Sequence, residues 1–251
     1  MTADEVVARF AAEPLDDEAR EYLRYHARRY AQLVDDVAAL VPEGGRILDI
    51  GPNFQTGLLR AARADARVDT LGFAHPLFGP GDGERHVELD LNRADDPATP
   101  RGEGAHDVAV MAEVIEHLPT SPVVVLRFLA TFLRPGGMLL VQTPNAVALH
   151  KRVRLLTGRP VLEPIRESRD NPGHFHEYTV GELREAATAA GLEVTRWRAT
   201  NPFGTSRPAR AYAAVARVLP RSLRHGLTVW MRRPISPSAT AARTTNDGSA
   251  A

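Results

Sequence analysis

Three groups of residues have the types and spacing to do chemistry. The first is the run Arg46-Ile-Leu-Asp-Ile-Gly-Pro-Asn-Phe-Gln-Thr-Gly57, an apolar strand that ends in Asp49-x-Gly51 and enters a helix. A glycine there lets the backbone approach a ligand, and the free N–H groups of a helix N-terminus suit a nucleotide. A strand, turn and helix with one glycine also occur in many α/β proteins, and Asp49 can equally cap the next helix. The second group is Glu116-His117, just after an apolar run. Histidine exchanges a proton near neutral pH. Glu116 reads as a charge favoured by a helix start, and His117 can equally be a helix N-terminal residue bonded to a nearby loop. The third is His174-x-His176 with Glu177 adjacent. One of the pair can face a substrate as a base. Two histidines and a carboxylate can also hold a divalent ion, but no further ligand is evident and no metal site is expected. A plain docking loop for Phe175 and Tyr178 is the alternative.

Residues of this kind need rigid elements to position them. Residues 3–40 read as helical, with Asp16 and Asp17 able to cap a segment in which Tyr22, His26, Arg29, Tyr30, Leu33 and Val37 recur at three- and four-residue spacings. Strands are expected at 46–50, 68–73, 86–91, 107–111, 137–143, 192–197 and 228–232. Helices are expected at 57–66, 122–133 and 182–190, with a basic helical stretch at 209–219. This alternation predicts a Rossmann-like, doubly wound α/β fold: a mostly parallel seven-stranded sheet with helices on both faces. Ligands of such sheets lie outside the carboxyl ends of the strands, so functional residues should follow strands. The chain divides into an N-terminal helical cap (1–42), a main domain (43–235) with an insertion at about 146–180, and a tail (236–251). The tail is small and polar, cannot bury a core and reads as disordered.

Bulk composition narrows the classes. The 251 residues suit one large α/β domain with additions. Lys plus Arg and Asp plus Glu both number 31, which argues against a nucleic-acid binder. There is no cysteine, which excludes disulfides, thiolate nucleophiles and zinc–thiolate or iron–sulfur centres. The first residues lack a long apolar run, and no stretch reaches about 18 apolar residues, so neither a signal peptide nor a membrane span is expected. A cytoplasmic location follows as the expectation. Lys151 is the only lysine among otherwise arginine cations.

Two further blocks are more specific: His106-Asp-Val-Ala-Val-Met-Ala-Glu-Val-Ile-Glu-His-Leu118, and Phe128-Leu-Ala-Thr-Phe-Leu-Arg-Pro-Gly-Gly137, followed by Thr143-Pro-Asn145. With them the chain resembles the class I S-adenosylmethionine-dependent methyltransferases, in particular the ubiquinone-biosynthesis-like, methyltransferase type 11 group, over roughly residues 47–194. The stretch Gly173-His-Phe-His-Glu-Tyr-Thr179 resembles relatives that tailor polysaccharides, lipids or natural products. The resemblance implies S-adenosylmethionine as cofactor. Asp49 and Gly51 then form the turn under its methionine part. Asp90 accepts a hydrogen bond from the adenine amino group, Leu91 supplies an adjacent N–H, and Glu113 borders both cofactor and substrate opening. Two departures stand out. The usual G-x-G-x-G turn has Asn53 and Gln55 at its second and third glycine positions. Asn53 is a fitting substitute because asparagine tolerates a left-handed backbone, while Gln55 adds bulk. The acid that normally binds the ribose is missing from Gly72-Phe-Ala74, leaving His75 or a residue of the 79–83 loop to replace it.

The implied reaction takes a methyl group from a sulfonium, so the protein mainly aligns and desolvates. A hydroxyl acceptor also needs a base, for which His117, His174 and His176 are the candidates. Arg152, Arg154, Arg159, Arg166 and Arg169 can meet a phosphate or carboxylate of the acceptor, or form a solvated face. Tyr22, Tyr25, His26, Arg29 and Tyr30 can form a lid, or merely pack. The basic 207–224 segment can lie on an anionic membrane. The expected function is O-methylation of a small molecule such as a sugar, lipid-linked intermediate or secondary metabolite. The alternative is a non-catalytic methyltransferase fold with a degenerate cofactor site. A nicotinamide-dependent oxidoreductase fits least, since the full G-x-G-x-x-G turn is absent.

Overall fold

In the computed structural model, which describes residues 1–162, 164–167, 173–201, 218 and 220–235, Thr2 and Asp16 start two separate N-terminal helices. Thr2 Oγ1 accepts the Glu5 N–H at 3.2 Å, and Glu5 returns a bond to the Thr2 N–H, opening α1 (Ala3–Arg9). Asp16 Oδ1 accepts the Ala19 N–H at 2.7 Å, opening α2 (Asp17–Ala38). The single helical stretch expected over 3–40 is therefore broken. Pro14 has no N–H to donate and disfavours a helical backbone at Glu13 before it.

The strands are β1 (Arg46–Ile50), β2 (Arg67–Gly72), β3 (His86–Glu88), β4 (His106–Ala112), β5 (Leu133–Pro144), β6 (Glu193–Thr200) and β7 (Gly226–Arg232), in the spatial order β3-β2-β1-β4-β5-β7-β6. Every neighbouring pair is parallel except those made by β7, which runs antiparallel to β5 and β6. Further helices among the described residues are α3 (Phe54–Ala62), α4 (Pro122–Ala130), α5 (Leu149–Leu156) and α6 (Val180–Ala189). Strand β3 is shorter than expected because Asp90 accepts the Asn92 N–H at 2.9 Å and begins a 3-10 turn over Leu91–Arg93. The basic stretch at 209–219, apart from residue 218, lies outside the described residues. So do most of the 207–224 segment, Arg169 and the tail.

Alternate strand residues feed two cores, as a sheet covered on both faces requires. Leu48, Ile50, Met111 and Val141 pack with Phe128 of α4 and Leu183 of α6. Ile47, Val108, Val110 and Leu140 pack with Leu33 and Val37 of α2 and Leu58 of α3. The N-terminal helices are thus part of one helical layer and share its core. Arg198 of β6 grips Asp36 of α2 with both forks, at 3.1 and 2.5 Å. Among the described residues, no helix is long and apolar enough to cross a membrane.

The end of α2 depends on a side chain from elsewhere. Arg63, which caps α3, donates to the carbonyls of Ala38 (3.1 Å), Val41 (2.5 Å) and Pro42 (2.8 Å). Ala38 is the last residue of α2, whose closing carbonyls have no partner within the helix, and Val41 and Pro42 lie in the turn that follows. Arg63→Ala should lower the unfolding free energy by about 1.5–3 kcal/mol in urea titration, the scale of hydrogen bonds to a charged group. An unchanged midpoint would show that water replaces the guanidinium without cost.

Candidate active site

Strand β1 carries Asp49 into the interior, where it is fully buried. Its Oδ2 accepts the Thr56 hydroxyl at 2.6 Å, and its Oδ1 faces Gln55 Nε2 at 3.4 Å. Gln55 Nε2 also donates to the Gly51 carbonyl at 3.1 Å, so its amide is held inside the turn. Burial pushes the Asp49 carboxyl up to about 7 despite these two bonds, which favour the carboxylate. The helix cap is Asn53, whose Oδ1 accepts the Phe54 N–H at 2.7 Å. The expectation that Asn53 stands in for glycine in a left-handed backbone is corrected. Its backbone is extended (φ −157°, ψ −164°), as a cap requires. The left-handed residue is Gly51 (φ 74°), where a Cβ would come within 2.9 Å of Val114 Cγ2.

The end of β2 has an acid after all, supplied by its neighbour. Glu88, the last residue of β3, pairs with Gly72 across the sheet, and its Oε2 accepts the Ala74 N–H at 2.9 Å. His75 is turned to its own loop, accepting the Leu77 N–H at 3.1 Å and packing on Phe78. Asp90 serves as the turn cap already described, and the Leu91 side chain is buried.

Beyond β4 the chain makes a strained exit. Glu113 has φ 57°, the only non-glycine residue among those described with a left-handed backbone, and its N–H bonds the Gln142 carbonyl at 2.9 Å. Such a conformation costs about 1–3 kcal/mol. It directs the chain into a 3-10 turn over Ile115–His117. Glu116, read as a helix-start charge, is fully buried there. Thr143 donates to its Oε2 at 3.0 Å, while Oε1 has no hydrogen-bond partner among the described residues. Burial, reinforced by the charge of Glu113, raises its carboxyl well above the usual range. The Glu116 carbonyl accepts the N–H groups of Phe175 (2.8 Å) and His176 (3.3 Å). His117 Nδ1 donates to the Gly173 carbonyl at 2.9 Å, which makes Nε2 the basic nitrogen of the neutral ring. Burial lowers the His117 pKa.

These contacts wall a cavity of about 420 Å³. Tyr22, Tyr25 and His26 of α2 form one side, and Glu113, Glu116 and His117 the floor. His150, Lys151 and Arg154 of α5, His225, and Arg166, His174 and Glu177 of the insertion complete it. His174 lies 4.8 Å from His117, ring to ring, with Nδ1 2.9 Å from Glu177 Oε1. The other Glu177 oxygen pairs with Lys151, whose pKa burial lowers to about 8. The structure separates the two histidines of the H-x-H pair: His176 is exposed, bonds Glu182 at 3.0 Å and does not line the cavity, because the chain bends at Phe175, whereas a regular extended chain would put residues two apart on one face. Of the insertion arginines, Arg154 and Arg166 reach the cavity and Arg152 and Arg159 do not. The expectation of no metal site rested on His174, His176 and Glu177. The fold gathers a different set, Glu116, His117 and His174, with ligand atoms within 4.8 Å of one another. Arg29 lies buried behind the lid residues. Its Nε donates to His26 Nδ1 at 3.2 Å, and its Nη1 has no hydrogen-bond partner among the described residues.

Comparison with known proteins fits this arrangement. A family model described as a methyltransferase domain matches residues 22–196. A Mycolicibacterium smegmatis protein named Probable S-adenosylmethionine-dependent methyltransferase is 32% identical over 110 residues, 44% of this chain and 37% of that one. A ubiquinone biosynthesis O-methyltransferase of Xanthomonas axonopodis is 32% identical over 127 residues, 48% of this chain and 52% of that one. The chain thus spans about half or less of these curated relatives. The solved complex of a Haloferax volcanii methyltransferase with its Trm112 activator superposes with a TM-score of 0.59 at 17% identity, covering 91% of this chain and 97% of that chain. At that identity the likeness is one of fold.

The raised Asp49 carboxyl has a consequence for stability. The folded chain keeps a proton that the unfolded chain releases near pH 4, so stability falls as pH rises from about 4 to about 7 and is level above. Asp49→Asn, which cannot ionise, should therefore gain on the parent across that interval by up to about 4 kcal/mol in urea unfolding. Parallel pH curves for the two proteins would show that Asp49 ionises in its ordinary range.

Proposed function

The chain belongs to the class I S-adenosylmethionine-dependent methyltransferases, and we propose that it transfers the cofactor's methyl group to a hydroxyl oxygen of a small molecule held beside Glu113. The observation that carries this reading is the cavity itself: it opens at the carboxyl end of β4, where a doubly wound sheet binds its ligands, and His117 and His174 are among the residues that line it. The O-methyltransferase name of one relative supports oxygen as the acceptor atom.

When bound, the cofactor would supply an electrophilic methyl group carried on a sulfonium. The chain's own residues hold and orient. Gly51 lets the turn approach the methionine part, and Asp90 and the Leu91 N–H serve the adenine. Glu88 takes the ribose hydroxyls in place of the acid missing after β2. Arg29, whose charge is felt by both Asp49 and Glu113, meets the cofactor's carboxylate with its unpartnered Nη1. His174, oriented by Glu177, or His117, oriented by the Gly173 carbonyl, takes the acceptor's proton through Nε2. His176 drops out as a base. The scaffold reading leaned on the missing ribose acid and the altered turn, and it loses support from Glu88 and from the inward-turned Gln55.

A second reading of the same floor is favoured by the orphaned Glu116 Oε1. Glu116, His117 and His174 can hold a divalent cation through one carboxylate oxygen and two ring nitrogens, a donor set that suits Fe²⁺ and for which paramagnetic Mn²⁺ is a usable probe. Such an ion would lower the pKa of an acceptor hydroxyl and fix its position.

Calorimetric titration with S-adenosylmethionine and S-adenosylhomocysteine tests the first reading. Micromolar binding is expected, weakened about tenfold or more by Glu88→Gln, the scale of one or two lost hydrogen bonds to a charged group. No binding at millimolar cofactor by folded protein would contradict it. For the second, Mn²⁺ should bind the parent and broaden the NMR signals of His117 and His174, and Glu116→Gln should abolish both effects. Equal behaviour of parent and variant would leave the histidines as simple bases.

A further inference from the structure

We propose that the α5 corner of the cavity is a subsite for an anionic group, a phosphate or carboxylate, carried by the acceptor. The identity of the ligand as acceptor rests on the methyltransferase reading; the anion site itself does not.

In a chain that otherwise uses arginine for every strong cation, the one lysine stands in this corner, and its side chain is buried. Helix α5 places His150, Lys151 and Arg154 at spacings of one, three and four residues, so that all three border the same cavity. His225, from the turn before β7, sets its ring 4.4 Å from that of His150. Arg154 is anchored by Nε to the Pro160 carbonyl at 2.9 Å, and its two Nη groups make no hydrogen bond or ion pair among the described residues. A guanidinium held by one edge keeps the other for a two-point grip on an oxyanion.

The carboxylates of the cavity are committed elsewhere. Glu177 pairs with Lys151 and His174, and Glu116, buried among acids, favours its neutral form. Glu113 faces the charges of Arg29 and Lys151. At His150 and His225 burial comes first, and positive charge adds to it: Lys151 and Arg154 on His150, His150 and Lys151 on His225. Both imidazoles are held neutral, His225 down to about 3. Burial is the larger cause at both rings, and the positive charge that adds to it is what a bound anion would offset. The anion would also return basicity to both rings.

The probe is inorganic phosphate, with acetate as a second arm, titrated into the full chain carrying isotopically labelled histidine. Saturable shifts of the His150 and His225 signals are expected, with the pKa of both rings raised. Arg154→Gln, an exposed position whose loss should not disturb folding, is expected to weaken binding at least tenfold. Tighter binding of phosphate than acetate would identify a phosphorylated acceptor, and the reverse a carboxylated one. Absence of any shift, or shifts undiminished by Arg154→Gln and by His225→Gln, would overturn the proposal. If S-adenosylhomocysteine fails to bind while phosphate binds as described, the methyltransferase reading falls and the anion site stands.

Discussion

The backbone carbonyl of Glu116 accepts two N–H groups, from Phe175 at 2.8 Å and His176 at 3.3 Å, and so pins the insertion to the turn after β4. The bond from His117 Nδ1 to the Gly173 carbonyl secures the same loop from the other side. Without this clasp His174 and Glu177 would have no fixed place beside the sheet, and the cavity would lose a wall. The clasp in turn needs the left-handed backbone at Glu113, which swings the chain off the end of β4. Strain at that residue is local and modest on the scale of the core that supports it. The parallel strands are apolar on both faces and hold the β4 exit rigid.

Burial then decides the chemistry. Glu116 and Asp49 are removed from water, which favours their neutral forms, whereas Glu177 has Lys151 and His174 to stabilise its charge. Acidic groups lie on the β4 side and the cationic residues come largely from α5. An acceptor molecule with a hydroxyl and an anionic group would meet a base at one end and a positive charge at the other. Helix α2 closes the space with Tyr22, Tyr25 and His26, so the residues read from sequence as a lid line the cavity, with Arg29 and Tyr30 packed behind them.

Much of the fold was legible because apolar periodicity is a local signal. Asp16 as a cap, the strands of the parallel sheet and the added strand near 228–232 all follow from short windows of sequence. What was hidden depends on partners distant in the chain. Glu88 gains meaning only through the register that sets it opposite Gly72. Glu116 reads as a helix-start charge, and its burial comes from the fold, where its carbonyl holds the N–H groups of Phe175 and His176. His174 and His176 look equivalent in the sequence, and a bend at Phe175 sends one into the cavity and the other to Glu182. Asn53 was read for its tolerance of a left-handed backbone, and its actual use is the commoner one of a helix cap. Lys151 was visible as a compositional oddity, with nothing in the sequence to say that it is buried against Glu177.

Methyl transfer in this cavity requires the cofactor's sulfur to face it. A crystal structure with S-adenosylhomocysteine tests this most directly. The predicted result has the sulfur over the turn at Gly51, the ribose against Glu88, the adenine at Asp90 and Leu91, and the amino-acid carboxylate at Arg29. The sulfur would then face the cavity between Glu113 and His174. A ligand bound away from the Gly51 turn, or one whose sulfur is walled off from His117 and His174, would contradict the proposed function.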